Sequence, residues 1–160
     1  MITLFTESAY LRHVVDCIKS AETEILVACY EWAWYDGQRT GTAQDINRAL
    51  CSASAKGLKV SAMLHHDTRT SHLSRINRRT ASRLRRHHIA VRLGSSRKPI
   101  HAKFWVFDGQ KVIICTHNVS NRAVTTNAEI GLLVDDQDIA QKARDYFLKI
   151  WGGLPQSQEP

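Results

Sequence analysis

No apolar run in this 160-residue chain approaches the ~18 residues that a bilayer-spanning helix requires. The first residues, MITLFTESAYLRHVVD, lack the basic start, apolar stretch and small-residue cleavage site of a secretory signal. Cysteine pairing is missing as well. Cys17, Cys29, Cys51 and Cys115 lie far apart with no C-x-x-C pair, each among apolar neighbours. That pattern predicts buried free thiols rather than a disulfide framework. Together these absences predict a cytoplasmic, reducing setting and no stable membrane association. The chain shows no internal repeat and no linker, so residues 1–151 are expected to form one domain and residues 152–160, GGLPQSQEP, a flexible tail.

Positive charge is in excess, with 22 Lys and Arg against 15 Asp and Glu, a formal +7. Such an excess is silent about fold but favours a polyanionic partner. Acid is missing altogether between Thr68 and His101, where Arg75, Arg78, Arg79, Arg83, Arg85 and Arg86 crowd one predicted helix. Like charges at i, i+4 weaken a helix, so this face is expected to meet an anion, and a nucleic-acid backbone is the choice made here over a solvated surface. Arg97 and Lys98 would carry that track toward His101. Trp34 and Tyr35, in the loop YEWAWYDGQRTG, either pack in the core or stack on a base of single-stranded nucleic acid.

Periodicity then sets the elements. Leu11, Val14, Val15 and Ile18 fall at helical spacing over 7–20, and TEILVACYEW supplies a buried strand over 24–31. A helix follows from a capping box at Thr42 to Gly57, with Ile46, Ala49, Leu50 and Ala53 on its apolar face. A second central strand (58–65), the basic helix (71–88) with Leu73, Ile76, Ala81 and Leu84 inward, and a short strand (89–93) come next. Strands at 101–107 and 111–115 form a hairpin about Asp108-Gly109, a strand spans 128–134, and Ile139 to Trp151 mark a last helix. Helices alternating with strands, plus one hairpin, predict an α/β fold with a mixed sheet flanked by helices on both faces.

The strand from His101 carries groups a core would not. Residues two apart on a strand share a face, so His101 and Lys103 emerge together, and so do Thr116 and Asn118 one strand later, with Glu129 early in the next. Neighbouring strands would bring the five to one sheet edge. By the same rule His117 faces away, and the adjacent histidines of His65-His66-Asp67 and His87-His88 read as surface or capping groups rather than a zinc site.

His101, Lys103 and Asp108 fill H-x-K-x-x-x-x-D, THN (116–118) resembles a downstream S-x-N, and Glu129 completes the order. The chain thereby resembles the phospholipase D superfamily, whose members cleave or transfer phosphodiesters. The resemblance implies that His101 is a nucleophile forming a covalent phosphohistidine, that Glu129 orients it, and that Lys103, Asn118 and Thr116 hold the phosphate oxygens. Asp108 is expected to serve the turn. A leaving oxygen needs a proton, and this chain holds the motif once, so the resemblance implies a homodimer in which a second His101 donates it, with no metal and no cofactor. Cys115, where the family commonly has Gly, and Val119, where an aromatic often follows the asparagine, depart from the pattern. The reading is a nuclease acting on DNA or RNA. A phospholipid hydrolase or phosphatidyl transferase is the first alternative and would expose an apolar rim; a non-catalytic nucleic-acid-binding module is the second.

Overall fold

The computed structural model describes residues 1–37, 40–67, 71–94 and 99–155. The strands are β1 (Ile2–Thr6), β2 (Glu24–Cys29), β3 (Lys59–His65), β4 (Ala90–Gly94), β5 (Phe104–Phe107), β6 (Lys111–Cys115) and β7 (Ile130–Asp135). The helices are α1 (Ala9–Ser20), α2 (Gln44–Ala55), α3 (His72–Arg85), α4 (Asn121–Thr125) and α5 (Gln137–Gly153). All seven strands join one sheet in the order β1-β7-β6-β5-β2-β3-β4. Strands β2, β3 and β4 run parallel and the other pairings are antiparallel, which makes the mixed α/β sheet the sequence predicts.

Alternation along each strand divides the core in two. Ile25, Val27, Ala62, Trp105 and Ile113 point to the face covered by α1, α2 and α3, and form the larger cluster. Leu26, Ala28, Met63, Phe104, Val106 and Val112 point to the other face, where Ala140 and Phe147 of α5 pack on them. Being apolar on both sides, β2 is a continuous hydrophobic run, as a strand covered on both faces must be. Among the described residues α5 is the one helix on the second face, joined there by Ile100 and Leu154, and this cover does not reach the far edge of the sheet. Leu4, Leu132 and Ile114 lie in one cross-strand row there, 62%, 38% and 50% exposed, with Ile2 and Ile130 beside them.

Several elements differ from the sequence expectation, each for a local reason. Strand β1 was not expected: ITLFT buries only Phe5, so its alternation is faint, and it exists because β7 offers it a full ladder from Ile2↔Val134 to Thr6↔Ile130. Helix α4 is a single short turn after Ser120, whose hydroxyl accepts from the Ala123 amide. The strand through His101 begins only at Phe104, so His101 and Lys103 sit on the extended approach to it. On α3 the inner face is Ser74, Asn77, Thr80, Ala81 and Leu84, whereas Leu73 and Ile76 are half-buried. Before α2 the cap is distributed: Thr42 Oγ1 accepts from the Gln44 amide, and the Asp45 carboxylate from the amides of Gly41 and Thr42. The chain after Trp151 is docked at first, since α5 runs to Gly153 and Leu154 is buried, its carbonyl reached by Arg92. Residues 156–160 of the expected tail lie outside the described residues.

Candidate active site

Parallel strands β2 and β3 end, β6 ends, and β5 and β7 begin, all at one edge of the sheet. That edge gathers the polar groups of the motif. His101 is exposed, and the Lys103 ammonium folds back to donate to the His101 carbonyl at 2.9 Å. The two flank Tyr30, whose ring centroid is 4.9 Å from that of His101 and 5.4 Å from Lys103 Nζ.

Asn118 shows how the backbone prepares a donor. Its Oδ1 accepts from the Glu31 amide at 3.1 Å, which fixes which end of the side-chain amide is oxygen and leaves the NH₂ group to donate elsewhere. Thr116 donates its hydroxyl proton to Glu129 Oε2 and accepts from the Ile130 amide. Glu129 Oε1 accepts from Asn127 Nδ2 at 3.1 Å. Both carboxylate oxygens are therefore held by Thr116 and Asn127, and neither is bonded to the His101 ring. The edge thus presents an imidazole, an ammonium and an amide donor, with a carboxylate behind the threonine, which is the donor set a phosphodiester's non-bridging oxygens call for.

Asp108 stands at the opposite end of the sheet. Desolvation pushes its pKa up, but hydrogen bonds from the amides of Glu24, Glu22 and Thr23 and from the Thr23 hydroxyl outweigh it and hold the carboxyl below its ordinary value. It ties the β5–β6 turn, where Asp108 and Gly109 both have positive φ, to the start of β2.

The two departures from the motif have steric partners. Cys115 faces Gly131 across the β6–β7 pair, and a Cβ on Gly131 would sit 2.8 Å from Cys115 Cβ and 2.4 Å from the Phe5 ring, so bulk gained on one strand is matched by its absence on the other. Val119 is fully buried and bridges to Trp32, which supplies the aromatic volume. Burial pushes the Cys29 and Cys115 thiols up to about 12, so neither is a thiolate near neutral pH.

Arg75 and Arg78 on α3, and Arg86 just past its end, are exposed with no acidic partner among the described residues. Arg79 and Arg83 differ: both reach Asp36 Oδ2, at 2.8 and 3.1 Å, an acid supplied by the loop after β2 rather than by the helix. Trp34 stacks on His87 at 6.0 Å and donates to Asp36, while the Tyr35 hydroxyl accepts from the Asn121 amide. Both aromatics thus brace the loop instead of standing free. Arg97 and Lys98 lie outside the described residues.

Two histidines that the motif does not use are buried. His117 is 1% exposed, stacks on Tyr10 at 4.3 Å and donates from Nε2 to the Glu7 carbonyl, and its buried Nδ1 has no partner among the described residues. His65, read from sequence as a surface or capping group, is 7% exposed, and its Nδ1 likewise has no partner among the described residues. Burial lowers the pKa of both below the ordinary 6.5; the Glu7 bond and Glu129 oppose this at His117, and Asp67 opposes it at His65. With the folded values below the unfolded one, the unfolded chain binds more protons in between. Stability is therefore expected to be flat above neutral pH and to fall as pH drops from about 6.5 through the lowered values. Thermal melts between pH 5 and 8 check this, and His117→Phe is expected to flatten part of the slope. An unchanged slope would reject the assignment.

Fold and edge together define an α/β domain shaped to act on phosphodiesters. The chain belongs to the phospholipase D superfamily: residues 14–151 match the family described as "Cardiolipin synthase, PLD-like domain". No curated protein matches it at the sequence level. Among solved structures it is similar to Nuc from Salmonella typhimurium, a phospholipase D family member, at 20% identity and a TM-score of 0.81 over 99% of this chain and 100% of that one. NucT from Helicobacter pylori is similar at 22% identity and a TM-score of 0.78, over 98% and 99%. Phosphatidylserine synthase from Haemophilus influenzae is similar at 12% identity and a TM-score of 0.67, over 91% of this chain and 36% of that one.

Proposed function

We propose that this protein is a nuclease that cleaves nucleic-acid phosphodiesters through a covalent phosphohistidine, at a site completed by a second copy of the chain. The observation that carries the proposal is the meeting of His101, Lys103 and the oriented Asn118 amide at one sheet edge. A neutral His101 ring nitrogen attacks phosphorus and displaces one ester oxygen, forming an N–P bond. Lys103 and Asn118 stabilise the charge that gathers on the non-bridging oxygens. The departing oxygen takes a proton from His101 of the second copy; water then attacks phosphorus, returns a proton to that imidazole, and the N–P bond breaks. The exposed arginines of α3 favour a polyanionic substrate, since that helix begins where β3 ends, at the same edge.

The second copy has a surface to meet. A cleft of about 710 Å³ beside His101 and Lys103 is lined by Ile114, Ile139 and Tyr146, and Ile114 is also one end of the exposed row that continues through Leu132 to Leu4. Contiguous exposed apolar area of this kind marks an interface. The cleft also favours a second reading, a phospholipid diester as substrate, because it is the apolar rim that reading requires. Labelled DNA and RNA, and phospholipid vesicles, incubated with the protein in EDTA separate the two: nucleic-acid cleavage without vesicle hydrolysis is expected, and the reverse would overturn the nuclease. Leu132→Asp is expected to convert a sedimenting dimer to monomer and to lower cleavage at least tenfold. A monomer as active as the parent would remove the shared site.

A further inference from the structure

One residue held at the site is not part of the motif. Tyr30 follows the last residue of β2, and the backbone on both sides of it is pinned. Its carbonyl accepts from Asn77 Nδ2 at 2.8 Å, the Glu31 amide donates to Asn118, and the Trp32 amide donates to Asn77 Oδ1 at 2.9 Å. The same Asn77 amide group donates to the His65 carbonyl at 2.6 Å. One buried side chain therefore fixes the ends of β2 and β3 relative to each other, and with them the two aromatic rings they carry.

Those rings form a stack behind the motif. His65 lies 5.0 Å from Tyr30 at an interplanar angle of 19°, and His101 lies 4.9 Å from Tyr30 at 57°. Lys103 Nζ is over the same phenol ring. His65 is buried, and one of its ring nitrogens has no partner among the described residues, a cost the fold tolerates directly behind the site. The His101 ring, by contrast, is exposed, precedes its strand and makes no hydrogen bond among the described residues, so Tyr30 is the ring contact that limits where it turns.

We propose that Tyr30 is a positioning residue: its ring, backed by His65, is the wall that holds the His101 imidazole and the Lys103 ammonium at one mutual placement before substrate arrives. The inference rests on the reading of His101 as nucleophile. A wall of this kind acts on both groups without touching substrate. Lys103 is drawn to the ring face as a cation, and the imidazole rests against the ring at a tilt that aromatic pairs favour. Losing it frees rotations of both side chains, and displacement of a reacting group by about 1 Å costs on the order of 100-fold in rate. Binding drawn from the α3 arginines is left untouched, so the loss belongs to kcat rather than KM.

The test measures kcat and KM of the full chain with bis(4-nitrophenyl) phosphate and a labelled oligonucleotide, with thermal melts of every variant and His101→Ala alongside. Tyr30→Phe keeps the ring and is expected to hold kcat within about threefold; Tyr30→Leu is expected to lose roughly 10- to 100-fold in kcat with KM within about threefold. His65→Phe, which preserves the stack, is expected to rescue what His65→Ala loses. Tyr30→Leu with parental kcat, or Tyr30→Phe as impaired as Tyr30→Leu, overturns the inference. Should Tyr30→Leu not fold, His65→Ala is read in its place, and an unchanged kcat there overturns it equally. An inactive His101→Ala beside an unimpaired Tyr30→Leu sinks this inference alone, whereas an active His101→Ala sinks the reading of the site on which it rests.

Discussion

His101→Ala is expected to lower phosphodiester cleavage by at least about 10⁴-fold, because loss of a covalent nucleophile removes the reaction path and not merely a contact. The protein itself should be indifferent to the change. His101 is exposed and its ring makes no hydrogen bond among the described residues, so the stability change should stay within about 0.5 kcal/mol. Acid-quenched turnover mixtures of the parent chain are expected to contain a phosphorylated, acid-labile protein species that the variant lacks. Cleavage by the parent is expected to be the same in EDTA as without it, since in the proposed mechanism Lys103 and Asn118 of both copies would supply the charge stabilisation. A variant that still cleaves, or a parent that needs added metal, would disprove the mechanism while leaving membership of the family intact.

Asn77→Ala is the substitution expected to damage the fold most for its size. Asn77 is fully buried and bonds three backbone groups from two other elements: the carbonyls of Tyr30 and His65 and the amide of Trp32. Truncation leaves all three without partners in a dry interior, at about 1–3 kcal/mol each, so a loss of roughly 3–5 kcal/mol is expected after some relaxation. For a chain of this length that corresponds to a fall in Tm of about 6–20 °C. Activity should fall further than the folded fraction does, because the carbonyl that Asn77 holds belongs to Tyr30. A melt shifted by less than about 2 °C would show that water takes over these bonds and that the amide is not the clamp described.

These two residues also mark what was legible in the sequence. His101, Lys103, Thr116, Asn118 and Glu129 stood out because polar groups at strand spacing in an apolar run have few reasons to be there, and the structure brings them to one edge. The layout of strands and helices was legible for the same reason, since it is written in local periodicity. Asn77 was not, because a polar residue on a helix reads as surface until a neighbouring strand end is known to need its amide. Ser74 and Thr80, polar residues on the same helix, are buried beside it. Tyr30 follows the end of β2 and His65 ends β3, and those two strand ends meet only through the parallel pairing of β2 with β3, so no spacing along the chain could relate them. Asp36 likewise reaches Arg79 and Arg83 from 43 and 47 residues away, which is why the arginine helix seemed to have no acid at all.

The pairing of β1 with β7 has a consequence in time. Ile2 is the ladder partner of Val134, and the Met1 ammonium donates to the Asp135 carbonyl. At synthesis rates of about 5–20 residues per second, β1 leaves the ribosome roughly 6–26 s before the strand it needs. Through that interval Phe5, which closes over Gly131 in the finished sheet, has no β7 to pack on, and Ile2 and Leu4 are unpaired beside it. The central strands and α1 to α3 can assemble first, leaving the first strand as the last to be laid down. In that order of assembly the pairing formed last is the one beside Glu129, at the head of β7.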